Sequence, residues 1–128
     1  MFLVLWHLLR SKSDWKLKAE QTLNLFGANL STHPHVLPQM LVAFDWMLST
    51  PKEIILVGTT NSEETKLLLT EIHSSYLPDK VLLMVDEKNR PSLEKLLPFI
   101  KEMQMLDGKA TAYICKNFAC QLPTSDIA

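Results

Sequence analysis

Three short apolar runs in the second half of the chain constrain its fold more than any other feature of the sequence. They follow Pro51 and are rich in aliphatic and β-branched residues. They lie at residues 53–58 (EIILVG), 80–85 (KVLLMV) and 110–115 (ATAYIC). Nearly continuous apolar runs of this length are typical of strands that are covered on both faces. The sequence therefore predicts an α/β fold with a small sheet.

The segments between these runs predict crossover helices. Residues 61–64 (NSEE) offer a helix cap with acids in the first turn, where the helix dipole favours negative charge. The inner face of this helix is predicted to carry Leu68, Leu69, Ile72 and Tyr76. Pro91 can open a second helix, and Pro98 should kink or split it. Right-handed crossovers make this a βαβαβ order with three parallel strands, and residues 116–117 predict a turn into a short final strand at residues 118–121.

Residues 1–50 carry helical patterns, and residues 51–128 carry the α/β pattern. The apolar opening at residues 1–9 is typical of the middle of a buried helix. It is too short to span a bilayer and lacks a basic flank, so export and membrane insertion are disfavoured. Residues 11–14 (SKSD) predict a capping box and a second helix that fades near residues 29–32.

The apolar positions of the first unit predict which helix faces are buried. The stripe on the second helix consists of Trp15, Ala19, Thr22, Leu23, Phe26 and Leu30. A third helix lies between the breaks at residues 33–35 and 49–51. Its apolar residues, at positions 36–48, cover much of the helix circumference, so we expect it to be well buried.

Composition narrows the classes of partner and compartment. The 128 residues are 47% hydrophobic and 21% charged, as in a folded globular protein. The formal charge is -1, and no basic stripe with interleaved aromatic residues is present, so nucleic acid is not an expected partner. Two cysteines are too few for a disulfide-stapled secreted framework, which favours a reducing cytoplasm.

Several segments together resemble a known family. Residues 53–58, 76–84 (YLPDKVLLM) and above all 110–126 (ATAYICKNFACQLPTSD) resemble the C-terminal end of the spermatogenesis-associated protein 20 family of thioredoxin-domain-containing proteins. Residues 8–23 and 38–48 (PQMLVAFDWML) are similar to the closing helices of that family's helical toroid. The resemblance therefore covers nearly the whole chain.

The resemblance implies a larger parent architecture. Members have an N-terminal thioredoxin-like domain, then an (α/α)6 toroid similar to N-acylglucosamine 2-epimerases and six-hairpin glycosidases, then an α/β tail. By this resemblance, residues 1–50 are the last helices of the toroid and residues 51–128 are the tail. The cysteine motif of the thioredoxin-like domain and most of the toroid have no counterpart in this chain. The expected partners are therefore the upstream thioredoxin-like and toroid domains, and no catalytic residue, cofactor or metal is predicted.

Cys115 and Cys120 are the remaining candidates for chemistry. Across a hairpin turn they could form a disulfide, a redox pair or half of a metal site. They do not form the Cys-x-x-Cys motif at a helix N-terminus that stabilises a reactive thiolate. A structural role for both residues is the favoured interpretation.

Other polar residues give weaker signals. His33 and His35 flank Pro34, but two ligands do not make a metal site. Residues 58–61 (GTTN) follow a strand as a phosphate loop would, yet they lack the second glycine and the lysine. The histidines His7 and His73 are expected to be packed or solvated, and the isolated acids Asp45, Glu53, Asp86 and Glu87 show no acid and base pairing.

Three functions follow from these observations. The first is a non-catalytic segment that braces the helical toroid of the larger protein. The second is a contribution, through the cysteine pair, to a redox or carbohydrate-modifying site that upstream domains complete. The third is an independent small-ligand domain that uses the carboxyl ends of the strands.

Overall fold

The computed structural model describes residues 13–116 and 119–126 of a chain that divides into two compact units, residues 1–50 and 51–128. The predicted opening helix, and Ser11 and Lys12 of the predicted capping box, lie outside the described residues. The helices of the first unit are α1 (Ser13–Leu25), α2 (Gly27–Thr32), a 3-10 turn (Pro34–Val36) and α3 (Pro38–Leu48).

The predicted second helix is two helices in the structure. The chain leaves helical geometry at Phe26, directly before Gly27, which is a poor helix former. Ala19 and Leu23, four residues apart on α1, are buried as the stripe predicts. Phe26 and Leu30, farther along the same stripe, are only partly covered, so the stripe loses its contact with the core after the break.

Helix α3 begins with Pro38 in its first turn and ends at Leu48, close to the predicted bounds. The prediction that this helix is well buried is wrong, because Ala43 is its one buried residue. An apolar helix surface needs a second apolar surface against which to pack, and most of this one faces solvent.

The second unit contains the sheet. Its elements are β1 (Glu53–Val57), α4 (Glu63–Ser74), β2 (Val81–Val85), α5 (Arg90–Leu96), a 3-10 helix (Pro98–Glu102), β3 (Thr111–Lys116) and β4 (Ala119–Cys120). The strand order is β2-β1-β3-β4, with the fully buried β1 between two partners. The predicted α/β class and small sheet are therefore confirmed.

The direction of β3 differs from the prediction. Strands β1 and β2 are parallel, but β3 runs antiparallel to β1, so the sheet is mixed. The chain reverses at Asp107 and Gly108, which have φ angles of 50° and 73°, while Leu106 and Lys109 form an antiparallel bridge around them. Two successive left-handed residues are typical of a two-residue hairpin turn, and this turn sends the chain into β3 from the opposite end.

Helix α4 packs on one face of the sheet. Its Leu68 joins Leu56, Ala110 and Ala112 in a buried cluster. The partly buried side chains against this cluster are Leu69, Ile72, Leu82 and Met84. Three of the four predicted inner-face residues are therefore in place, but Tyr76 is 91% exposed because α4 ends at Ser74.

The chain between β2 and β3 contacts the opposite face through Tyr113, whose hydroxyl accepts the Gln104 N–H at 3.0 Å and donates to the Gln104 carbonyl oxygen at 2.7 Å. As predicted, Pro91 lies in the first turn of α5, and the helix ends before Pro98, after which the chain continues as a 3-10 helix. The Arg90 guanidinium donates hydrogen bonds to the carbonyl oxygens of Ile100 (3.2 Å) and Met103 (3.0 Å). The Ile100 carbonyl also accepts the Met103 N–H at 3.0 Å, so the guanidinium adds a second bond there. It also gives the Met103 carbonyl, just after the 3-10 helix, a hydrogen-bond donor.

Candidate functional site

The two cysteines meet in the hairpin formed by β3 and β4. Cys115 and Cys120 are directly paired across the two strands, with Cα atoms 3.9 Å apart. Their Sγ atoms are joined in a disulfide bond. Cys115 is 2% exposed, whereas Cys120 is exposed. Of the alternatives that the spacing leaves open, the structure therefore shows the disulfide.

Glu53 is the polar neighbour of this disulfide. The register of β1 and β3 places Glu53 opposite Cys115, and the register of β1 and β2 places it beside Val81. Residues opposite each other in adjacent strands point to the same face of a sheet, with Cβ atoms about 5 Å apart in antiparallel pairs. One face of the sheet therefore presents Glu53, Cys115 and Cys120 in a row across three strands.

The carboxyl group of Glu53 is held in an apolar environment. The residue is 8% exposed, and burial raises the pKa of its carboxyl group above the ordinary value. Within residues 13–116 and 119–126, no hydrogen bond or ion pair to this carboxyl group is formed. A buried acid without a partner favours its neutral form, which can give a proton to a nearby base.

Glu53 is an isolated acid along the sequence, but the strand pairing gives it a cysteine neighbour. Sixty-two positions of sequence separate it from Cys115, but the antiparallel register makes the two residues neighbours. No pattern local to either residue signals this contact, because it depends on the order and direction of the strands in the folded sheet.

The two loop histidines lie near each other at the surface. The ring centroids of His33 and His35 are 6.2 Å apart, and His33 Nδ1 lies 2.9 Å from the Thr32 hydroxyl. Within the described part of the chain, no group of three His, Cys, Asp or Glu residues is arranged to hold a metal ion. A pair of imidazoles provides at most half of a tetrahedral site.

The carboxyl ends of the parallel strands β1 and β2 carry a closed network of hydrogen bonds. The Thr60 hydroxyl donates to Asp86 Oδ2 at 2.5 Å, and the Asn89 and Lys88 backbone N–H groups donate to Asp86 Oδ1. The Thr60 hydroxyl and the Asn89 N–H lower the pKa of the Asp86 carboxyl group. An ionised carboxylate at this edge disfavours a phosphate ligand.

The α4 N-terminus, where a phosphate would bind, is already capped. Ser62 Oγ accepts a hydrogen bond from the Thr65 backbone N–H at 3.2 Å. Gly58 precedes this cap, and a Cβ atom at that position would lie 2.7 Å from Thr65 Oγ1. The absence of a side chain at Gly58 therefore allows the end of β1 to pass close to α4. This close packing explains the glycine, and no ligand is needed to explain it.

The remaining acids and histidines have exposed positions or lie outside the described residues. Asp45, His73 and Glu87 are exposed on α3, on α4 and in the loop after β2, and His7 lies outside the described residues. Among the helices that the structure describes, none is both long and apolar enough to cross a membrane.

Helix α3 carries an exposed apolar stripe. Leu41, Phe44 and Leu48 recur at spacings of three and four residues, which places them along one face of the helix. They are 36%, 45% and 71% exposed, respectively. Soluble helices normally bury such a stripe, so this face is a candidate interface.

Comparisons with known proteins agree with the resemblance in the sequence. The chain is 34% identical to human and to rat spermatogenesis-associated protein 20, and 32% identical to the mouse protein, over 120 residues in each case. These alignments cover 94% of this chain but only 15% of each relative. No family model matches the chain, and no solved structure matches it. The chain therefore belongs to the spermatogenesis-associated protein 20 family and corresponds to a small part of these longer relatives.

Proposed function

We propose that this chain is a non-catalytic structural segment whose helices pack against the upstream helical domain of a larger family protein. The observation that carries this proposal is the exposed apolar stripe of α3, formed by Leu41, Phe44 and Leu48. Leu25 of α1 is 77% exposed as well. Apolar side chains at helical spacing stabilise a fold only when a second surface covers them.

The size of the match supports the same proposal. The relatives are several times longer than the aligned region, since the chain spans about 15% of their length. In the resemblance, the segment upstream of the tail is a helical toroid, which would supply apolar helix surfaces of the required kind. The α/β unit would then brace the end of that toroid, with its own core containing Leu68 of α4 and the buried residues Leu97, Ile100 and Met103.

The proposal is tested first on the 128-residue chain, with light scattering and an apolar dye. Leu48→Ser and Phe44→Ser should lower dye binding and self-association, because both remove apolar surface from the stripe. Leu122→Ser is the matched control, since Leu122 is 93% exposed but lies in the tail of the other unit. A monomeric wild-type chain that binds no dye would contradict the proposal.

The same substitutions then apply to the corresponding positions of a full-length relative. Burial of Phe44 against the upstream domain predicts that its replacement by Ser lowers the free energy of unfolding by about 2–4 kcal/mol. The Leu122 equivalent should change it by less than about 0.5 kcal/mol. Equal effects of the two substitutions in a chemical denaturation experiment would argue against packing through the stripe.

A second candidate function is a contribution to a redox site, and the Cys115–Cys120 disulfide is the observation that favours it. Substitution of either cysteine by Ser in a full-length relative separates the two functions. Loss of a redox activity with unchanged unfolding free energy would support the redox contribution. If the cysteine variants kept the redox activity of the relative, the disulfide would have a structural role alone. No described residue favours the carbohydrate-modifying alternative.

A further inference from the structure

The disulfide joins an exposed residue to a buried one. Cys120 belongs to the two-residue edge strand β4 and is exposed, whereas Cys115 belongs to β3 and is 2% exposed. Exchange begins when a thiolate reaches a disulfide sulfur, so access decides which sulfur is attacked. Attack is therefore expected at Cys120, the exposed residue of the pair, with Cys115 as the leaving group.

The hairpin is also held together without the disulfide. The Gln121 N–H donates to the Ile114 carbonyl oxygen at 2.9 Å, next to the cysteine pair. Farther along, Ala112 and Thr124 exchange two backbone hydrogen bonds, of 2.8 Å and 3.1 Å. These contacts keep Cys120 opposite Cys115 after reduction, so the two thiols retain a high effective concentration for reoxidation.

A buried carboxyl group lies beside the leaving sulfur. Glu53 is opposite Cys115 in the register of β1 and β3, on the same face of the sheet. Lys116 adjoins Cys115 along β3 and so points to the other face. Within the described residues no cation pairs with Glu53, and burial favours its neutral form. A neutral carboxyl group at this position has a proton to give to a departing thiolate.

We propose that Cys115, Cys120 and Glu53 form a thiol–disulfide exchange site for a dithiol, with Glu53 as the proton donor to Cys115. This inference rests on the second candidate function and deepens it, and the observations behind it come from the described residues of this chain. It adds which sulfur reacts, which residue handles the proton and which class of reductant the site takes.

The net reaction breaks the sulfur–sulfur bond of the cysteine pair and forms one within the dithiol. A thiolate of the dithiol attacks Cys120 Sγ, a bond forms between them, and the Cys115–Cys120 bond breaks. The electron pair of the broken bond goes to Cys115 Sγ, which takes the proton of the Glu53 carboxyl group. The second thiolate of the dithiol then attacks the dithiol sulfur that is bonded to Cys120. The Cys120 thiolate leaves and takes a proton from water. The dithiol is oxidised to a disulfide, the cysteine pair is reduced, and water reprotonates Glu53.

The first test asks which sulfur reacts. Cys115→Ser leaves the Cys120 thiol, and Cys120→Ser leaves the Cys115 thiol, so each variant lacks the disulfide and controls for the other. The probe is an aromatic disulfide, dithiobis(nitrobenzoic acid), whose released thiolate is followed by absorbance. We expect Cys120 to react at least about tenfold faster than Cys115. Equal rates, or a faster reaction at Cys115, would overturn the assignment of the attacked sulfur.

The second test asks whether Glu53 handles the proton. The rate at which tris(2-carboxyethyl)phosphine reduces the disulfide is measured between about pH 4 and pH 8 for the wild type and Glu53→Gln, under identical conditions. The wild-type rate is divided by the variant rate at each pH, so the titration of the phosphine, which affects both rates equally, cancels. Above the pKa of Glu53 its carboxylate disfavours the departing thiolate, and below it the carboxyl group donates a proton. We therefore expect this ratio to rise by at least about threefold as the pH falls.

Two further variants keep the second test decisive. Glu53→Leu is a neutral substitute suited to a buried position, and it should give the same rise in the ratio if the Gln variant does not fold. Glu87→Gln, in the exposed loop after β2, is the control and should give a ratio that does not change with pH. A ratio that does not change with pH for both Glu53 variants would overturn the role of Glu53. This result does not depend on the upstream domains, so it leaves the second candidate function to be tested separately.

Discussion

At the scale of the residue, Gly58 is the position where a single methyl group has the clearest consequence. A Cβ atom there would lie 2.7 Å from Thr65 Oγ1 and 3.0 Å from the Ala110 Cβ. Thr65 is fully buried, so it cannot move away freely. We expect Gly58→Ala to lower the free energy of unfolding by about 1–3 kcal/mol in urea denaturation followed by circular dichroism.

Gly27→Ala is the matched control for this substitution. A Cβ atom at Gly27 has no neighbour within 4 Å, so the added methyl group meets open space. Its effect on the unfolding free energy should be neutral or stabilising by up to about 1 kcal/mol. A Gly58→Ala chain as stable as the wild type would contradict the close approach of β1 to α4.

Glu53 determines a second prediction at this scale, on the pH dependence of stability. Its pKa is raised by burial in the folded state, so the folded chain binds the proton more tightly than the unfolded chain. The contribution of the neutral Glu53 carboxyl group to the free energy of unfolding is fully present below the pKa of the unfolded chain. It is lost as the pH rises through the pKa of the folded chain. Glu53→Gln stays neutral, so its unfolding free energy relative to the wild type should be greater at pH 7 than at pH 4.

Urea denaturation across this pH range measures that difference. The control is Glu87→Gln, because Glu87 is exposed in the loop after β2. An advantage of the Glu53 variant that stays constant with pH would show that the carboxyl group does not lose its proton at a raised pKa.

At the scale of the element, the N-terminus of α4 depends on one serine. Ser62 Oγ accepts from the Thr65 N–H at 3.2 Å and lies 2.8 Å from the buried Thr65 hydroxyl. Ser62→Ala removes both contacts, so it should lower the unfolding free energy by about 1–2 kcal/mol. Ser74→Ala, at the exposed end of the same helix, should change it by less than about 0.5 kcal/mol. Equal losses in thermal or urea unfolding would contradict the capping role.

At the scale of the whole molecule, the two units differ in how much of each is buried. All five residues of β1 are buried, and this strand pairs on both sides, whereas α3 buries Ala43 alone. Amide hydrogens exchange slowly where the backbone bonds are covered by packed side chains. Hydrogen exchange with mass spectrometry should therefore show the strongest protection in residues 53–57 and much weaker protection in residues 38–48. Equal protection would mean that α3 is stabilised by contacts other than its own burial.

Much of the local structure could be predicted because it depends on neighbours along the chain. The Ser62 cap and the helix break before Pro98 follow from side-chain and backbone chemistry within one turn. The strands β1 and β2 follow from short apolar runs that are typical of strands covered on both faces. The exposure of Tyr76 does not follow from the apolar pattern, because the helix ends two residues before it.

The candidate site was predicted in part. The spacing of Cys115 and Cys120 identified a pair that a hairpin could bring together, but it left disulfide, redox and metal roles open. The local pattern was sufficient for the α/β class, the apolar strands and the cysteine hairpin, since each depends on residues close in sequence. The position of Glu53 opposite Cys115 came from strand order and direction. A two-residue turn at Asp107 and Gly108 reverses β3 without changing its own pattern, and so only packing of the whole unit makes these distant residues neighbours.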